Sequence, residues 1–179
     1  MPITPWKILS SSHPLPNIRL DQCELRDGRH IQGFVLEFHD WVTVLALTKQ
    51  NEVVMIRQYR HGAQQVIEEL PGGMIDPEDR DPLEGARREL LEETGYTSER
   101  FVLVGKVSPN PAIQNNIIYS YLALEAEQAG AQALDETEEI EVLLKPLDEV
   151  VRMAQNSQLL QAMQVATVFF TLAWLERNR

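Results

Sequence analysis

Residues 81–95 read Asp-Pro-Leu-Glu-Gly-Ala-Arg-Arg-Glu-Leu-Leu-Glu-Glu-Thr-Gly, and this segment has both of its ends written into it. Asp81 can accept hydrogen bonds from the unpaired N–H groups of a first helical turn, and Pro82 suits that turn because its fixed φ is already helical. Gly95 stops the helix, since glycine adopts the left-handed backbone that a helix end needs. The segment therefore predicts one helix from about Pro82 to Thr94, with Leu90 and Leu91 on its buried side. The residues around it have a different period. Ile18–Leu25, Ile31–Phe38, Trp41–Leu47, Glu52–Gln58, Val66–Leu70, Phe101–Val107, Ile117–Ala123 and Glu139–Lys145 alternate or run apolar like strands, with turns at Arg26-Asp27-Gly28 and Lys49-Gln50-Asn51. After Pro146, Leu147–Ala154 and Gln158–Glu176 regain helical period, the latter with Leu159, Met163, Ala166, Phe170 and Trp174 on one stripe. Strands around one central helix, with helices at the end, predict an α+β chain or a sandwich of helices about a sheet.

Three carboxylates share one side of the central helix: Glu89 and Glu93 are one turn apart, and Glu92 lies between them at i+3. Left bare, like charges this close repel. A hard cation reverses the sign, because magnesium and manganese take oxygen ligands and keep waters and phosphates in their shell. Pro71-Gly72-Gly73 provides a tight loop whose carbonyls can face these carboxylates, and Arg88 can pair with an acid and fix the helix against that loop. The alternative is a solvated acidic face balanced by Arg87 and Arg88. The whole chain is acidic, with 16 Lys+Arg against 27 Asp+Glu and a net charge of −11 over 179 residues. That balance, with no basic run, excludes a nucleic-acid groove, yet it allows a phosphorylated small molecule held through cations. Cys23 is the lone cysteine, so an internal disulfide is excluded and a small buried apolar role is expected. Met1–Ser12 has no apolar run, so no signal peptide is expected, and the apolar stretches fall short of the ~20 residues of a membrane span. A cytoplasmic protein is the resulting expectation.

Gly73 through Tyr96 resembles the Nudix box, G-x5-E-x7-R-E-U-x-E-E-x-G-U, in which U is a bulky apolar residue. Arg88, Glu89, Leu90, Glu92, Glu93, Gly95 and Tyr96 match its second half position by position. In the first half, the stretch from Gly73 to Arg88 is one residue too long, which reads as an insertion within Glu78-Asp79-Arg80-Asp81. Either Glu78 or Asp79 is then the acid that pairs with Arg88. The resemblance implies an α/β/α sandwich with a mixed central sheet and a small N-terminal β segment. It also implies that Glu89 and Glu93 ligate magnesium (or manganese), as more than one ion, with Glu92 ligating directly or through water and the Gly72 carbonyl completing the shell. The family cleaves a nucleoside diphosphate linked to another group, by metal-assisted attack of water on phosphorus.

From about Phe38 onwards the chain resembles the ADP-ribose pyrophosphatase branch. Arg57-Gln58-Tyr59-Arg60 and then Glu68-Glu69-Leu70-Pro71 carry that likeness. It makes Arg57 and Arg60 candidates to grip the diphosphate, since guanidinium matches phosphate oxygens in a fork. Glu69 becomes a candidate for the nucleoside end, and Pro111 for a substrate-side loop. Pro111 is followed by Ala112-Ile113-Gln114, where the branch commonly has Gly and an acid, so GDP-mannose or another nucleotide sugar stays open beside ADP-ribose. The general base is expected from Asp135-Glu136-Thr137-Glu138-Glu139, with Glu136, Glu138 and Glu139 as the candidates. Trp6, Phe38, Trp41 and Tyr59 are the aromatic residues that could stack on a base. The same resemblance implies residues 1–40 as a dimerising β segment, residues 41–179 as the catalytic domain, and a homodimer. A Nudix-fold module that senses a nucleotide without cleaving it, or a housecleaning enzyme acting on another nucleotide, is the competing expectation.

Overall fold

The computed structural model describes residues 4–178, which fall into two compact units. The first comprises the chain up to His39 together with 108–116. Its strands β1 (Lys7–Leu15), β2 (Ile18–Glu24) and β3 (His30–Leu36) form an antiparallel sheet in the order β1-β2-β3. β1 has no counterpart in the sequence reading, and the reason is visible in its side chains: all nine residues are exposed, so no alternation marks them. The segment 108–116 joins this unit through backbone, with Leu36 N–H donating to Ile113 O at 2.6 Å and Phe38 N–H to Asn115 Oδ1 at 3.1 Å. Cys23 is buried there, 3% exposed, as expected of a small apolar residue. Residues 1–3 of the expected N-terminal segment lie outside the described residues.

The second unit contains β4 (Trp41–Thr48), β5 (Glu52–Arg60), β6 (Gln65–Glu69), α1 (Pro82–Thr94), β7 (Tyr96–Thr97), β8 (Arg100–Val107), β9 (Ile118–Gln128), β10 (Ile140–Pro146), α2 (Leu147–Gln155) and α3 (Ala162–Arg177). A mixed sheet runs β10-β5-β4-β9-β7, with β6 on β5 and β8 on β9; β4 and β9 pair in parallel. Successive side chains of β4 face opposite sides of this sheet, as a strand requires. Val42, Val44 and Ala46 pack with Ala86 and Leu90 of α1, whereas Leu45 and Leu47 pack with Val150 and Met153 of α2 and Val168 of α3. The result is an α/β/α sandwich whose two apolar layers come from alternate residues of the same strands. No helix among the described residues is long and apolar enough to cross a membrane.

Two helices behave differently. α1 runs from Pro82 to Thr94 as expected, with Asp81 Oδ1 accepting from Glu84 N–H at 2.9 Å and Gly95 at φ 72°. α3 starts four residues later than the sequence reading, at Ala162, and Leu159 enters the core ahead of it. Its most buried residues are Gln164, Thr167, Val168 and Thr171, not the apolar stripe expected. Two of the three polar side chains find partners there: Thr167 bonds to Ser120 at 2.8 Å, and the Gln164 amide grips both backbone groups of Leu70, whereas the Thr171 hydroxyl has no partner among the described residues. A buried polar atom costs little once it is paired.

Candidate active site

The loop from Leu70 to Met74 runs beside β4, with Val44 N–H donating to Pro71 O and Val42 N–H to Gly73 O, both at 2.9 Å. Both glycines of this loop are required. A Cβ on Gly72 would stand 2.3 Å from the carbonyl oxygen of Val42, and its φ of 149° disfavours other residues; a Cβ on Gly73 would lie 2.6 Å from the Glu89 carboxylate. The loop thus comes close enough to α1 for the Gly72 N–H to donate to Glu93 Oε2 at 2.8 Å. It is thus the N–H of Gly72 that meets the Glu93 carboxylate.

A cavity of about 400 Å³ opens here, lined by Arg60, Gly72, Gly73, Arg88, Glu89, Glu92 and Glu93 and, from the loop before β10, Asp135 and Glu138. Arg88 organises its floor. Its guanidinium bonds Asp79 (Nε to Oδ1 3.3 Å, Nη2 to Oδ2 3.0 Å), the Met74 carbonyl at 2.9 Å, Glu89 at 3.1 Å and Glu92 at 3.0 Å. Asp79 is therefore the acid that pairs with Arg88. Arg80 turns away to Glu84 and Asp81 caps the helix, which accommodates the extra residue of the loop.

Burial pushes the Glu93 carboxyl up to about 8, with the charges of Glu89 and Glu138 adding to the rise, and the Glu89 carboxyl up to about 7, with those of Glu92 and Glu138 adding; the Gly72 N–H and Arg88, respectively, oppose these shifts. Among the described residues no three His, Cys, Asp or Glu side chains close into a preformed cation cage, and Arg88 pairs with both Glu89 and Glu92. The donor set nonetheless fits a hard cation. Two half-desolvated carboxylates one turn apart on a glycine-lined wall match the mode in which magnesium is held by one or two carboxylates, with waters and substrate phosphates completing its shell.

A pH dependence follows from the two raised carboxyls. Their folded values exceed the ~4.3 of an unfolded glutamate, so folding favours the protonated form. Their stabilising contribution is complete below that unfolded value and is lost as pH rises through about 7 and 8. Metal-free protein is expected to lose on the order of 3 kcal/mol between pH 5 and 8.5, about 6–12 °C in melting temperature. Millimolar magnesium should reverse much of the loss at pH 8.5 and little of it at pH 5. Melting curves in chelator and in magnesium check this; a flat metal-free profile contradicts it.

The other expected site residues separate. Arg60 lines the cavity, and its Nε and Nη2 bond Glu69 Oε2 at 2.8 and 2.6 Å. Arg57 does not line it: three residues apart on β5, the two arginines face opposite sides, and Arg57 is held by Glu68 and Glu141 at 2.9 and 2.7 Å. Of the two arginines expected to act together, only Arg60 is brought to this cavity. Glu69 is fully buried and both of its oxygens are taken, by Arg60 and by Gln161, so it positions Arg60 and has no oxygen left for a nucleoside. Glu138 lines the cavity while Glu136 and Glu139 do not, and Pro111 lies in the first unit. Two polar side chains that the sequence reading did not single out also line it, Gln58 and Asp76, beside Met74 and Ala133. Gln58 shares a strand face with Arg60, and period two along β5 is the signal that would have found it.

A helix of carboxylates thus lies against a double-glycine loop, with an arginine and residues of an acidic loop lining the same cavity. The model of the NUDIX domain matches residues 37–164, and the chain belongs to this family. It is 30% identical over 152 residues to a methanol dehydrogenase activator of Bacillus methanolicus, covering 84% of this chain and 82% of that protein. To an ADP-ribose pyrophosphatase of Bacillus subtilis (strain 168) it is 26% identical over 147 residues, covering 82% and 79%. The fold matches a crystal structure of an ADP compounds hydrolase with TM-score 0.87 over 99% of this chain and 98% of that one, at 19% identity.

Proposed function

We propose that the protein hydrolyses the diphosphate of a nucleoside diphosphate sugar with the help of magnesium or manganese, ADP-ribose giving AMP and ribose 5-phosphate. The observation that supports this most is the gathering of Glu89, Glu93, Arg60 and Glu138 around one cavity. Likeness to ADP-ribose pyrophosphatases of known sequence supports the adenosine substrate, and the Gln114 region leaves GDP-mannose as the alternative. The reading carries with it the homodimer through the N-terminal segment and the cytoplasmic location expected from the sequence.

Glu89, Glu93 and the Gly72 carbonyl, with Glu92 directly or through water, would hold a divalent cation, which when bound would neutralise diphosphate charge and lower the pKa of a water. The chain's own groups do the rest. Arg60, with two nitrogens fixed by Glu69, presents its remaining donors to diphosphate oxygens. Glu138 takes the proton of the attacking water as its oxygen bonds to phosphorus and the bridging P–O bond breaks. Arg88 keeps the two carboxylates of its own helix, Glu89 and Glu92, in register with the Met74 loop.

Incubation with ADP-ribose, GDP-mannose and other ADP-sugars in magnesium tests the proposal by product analysis. Turnover of ADP-ribose above the rest is expected; metal-loaded protein inert toward every diphosphate refutes it. Glu138→Gln should lower kcat by about 10²–10⁴-fold with KM nearly unchanged. Wild-type kcat in that variant removes Glu138 from the role of base.

A further inference from the structure

A second cavity, of about 350 Å³, shares Arg60, Gly72, Gly73 and Met74 with the first and extends from them toward α3. It is lined by Trp41, Thr43, Met74, Gln161 and Met163. The two chambers have opposite chemistry. The first is walled by carboxylates; no acid lines the second, and Glu69, which precedes the lining residue Leu70, is spent on Arg60 and Gln161. What remains is an indole and two thioethers, with Thr43, Gln161 and Gln164 as the polar side chains and Arg60 at the seam. The Leu70 wall is held rigid by Gln164, whose amide accepts from Leu70 N–H at 3.0 Å and donates to Leu70 O at 3.4 Å.

Thr43 gives the chamber an address. It is 3% exposed, and its hydroxyl has no hydrogen-bond partner among the described residues. β4 directs it to the α3 side of the sheet, between Val42 and Val44, which face α1. A buried hydroxyl without a partner weakens the fold, so a chain that keeps one in a cavity wall has a use for it there.

Resting on the function proposed above, we infer that this chamber binds the nucleobase of the substrate, with its ring against Trp41 and the two methionines and its polar edge on the Thr43 hydroxyl. A base suits these walls better than the sugar half. Its flat apolar faces match indole and thioether surfaces, and its edge needs only a few partners. A sugar would bring several hydroxyls into a chamber with too few polar groups to pair them. Arg60, at the seam, then takes the diphosphate between base and cleavage site.

The test uses AMP and ribose 5-phosphate, which share a phosphate and differ in the base, titrated into the protein in chelator with tryptophan fluorescence as readout. AMP should quench saturably and ribose 5-phosphate should not. Trp41→Phe should abolish most of the quench while AMP still binds in calorimetry. Thr43→Val, which keeps the shape and removes the hydroxyl, should raise the melting temperature and weaken AMP binding by about tenfold. A raised melting temperature with unchanged AMP affinity overturns the inference, and so does equal quenching by ribose 5-phosphate or no quenching by AMP. These titrations need no turnover, so they separate from the substrate panel. An enzyme that hydrolyses ADP-ribose with wild-type KM in Thr43→Val keeps its function and loses this subsite.

Discussion

Glu93→Gln is expected to lower kcat by at least about 10²-fold and, at the same time, to raise the melting temperature of the metal-free protein at pH 8. Both effects have one cause. The Glu93 side chain is buried, 6% exposed, and burial pushes its carboxyl up to about 8, with the charge of Glu89 adding to the rise. An ionised glutamate there is costly unless a cation repays its lost hydration. Glutamine keeps the length and an oxygen for the Gly72 N–H, so the loop contact at 2.8 Å survives while the charge is removed. The metal-free fold should gain on the order of 1–3 kcal/mol, about 2–10 °C for a chain of this size. In magnesium the ranking should invert, because wild type gains the free energy of cation binding and the variant has lost a ligand. Calorimetric melts with and without magnesium, beside steady-state kinetics, measure both arms. A variant that loses activity without stabilising the metal-free protein shows that Glu93 is not under electrostatic strain; one that keeps wild-type kcat is not missing a ligand.

The parts of the site legible in the sequence are those whose geometry is set within one turn of helix. Asp81, Pro82 and Gly95 fix the ends of α1, and helical pitch then places Glu89, Glu92 and Glu93 together without reference to the rest of the chain. The errors begin where a residue's neighbours come from elsewhere. Arg57 and Arg60 look equivalent in sequence, but β5 sends them to opposite sides of the sheet. Glu69 reads as a free acid until α3 delivers Gln161 to it from 92 positions away. Gln164, 94 positions from Leu70, reads as one more polar residue between apolar ones, although it braces the loop that divides the two chambers. A local pattern cannot contain a partner so distant in the chain, and the apolar stripe of α3 misleads for the same reason. The acidic balance of the chain belongs to both categories. Its sign was visible at once, whereas the use of Glu89, Glu93 and Glu138 became visible only when the loop before β10 and the carboxylate helix were seen to line one cavity.

Arg88→Ala is expected to cost on the order of 3–4 kcal/mol of stability, with loss of activity beyond the reach of added magnesium. Arg88 is the point at which the loop after β6, the turn carrying Asp79 and two carboxylates of α1 meet, through bonds of 2.9–3.3 Å. Its removal leaves Asp79, with a side chain only 6% exposed, as a buried charge without its cation. In the wild type the hydrogen bonds from Arg88 are the largest cause holding the Asp79 carboxyl below its usual range. That depressed value stabilises the fold above the unfolded value near 3.9 and is lost as pH falls through the folded one; in Arg88→Ala this acid-side contribution should disappear. Arg88→Lys separates charge from shape. One ammonium can satisfy Asp79, but it cannot also span the Met74 carbonyl and the two glutamates, so stability should recover in part and kcat should stay low. Asp79→Asn should cost less than Arg88→Ala, and the double variant should cost less than the sum, with a coupling of ~1–3 kcal/mol, because the pair is one unit. Urea unfolding of the four proteins at pH 7 measures the cycle. Additive losses, or an Arg88→Ala cost under ~0.5 kcal/mol, would show that the guanidinium merely lies on the surface of the site, and the helix and loop would then owe their alignment to the Gly72–Glu93 contact and the packing of Leu90.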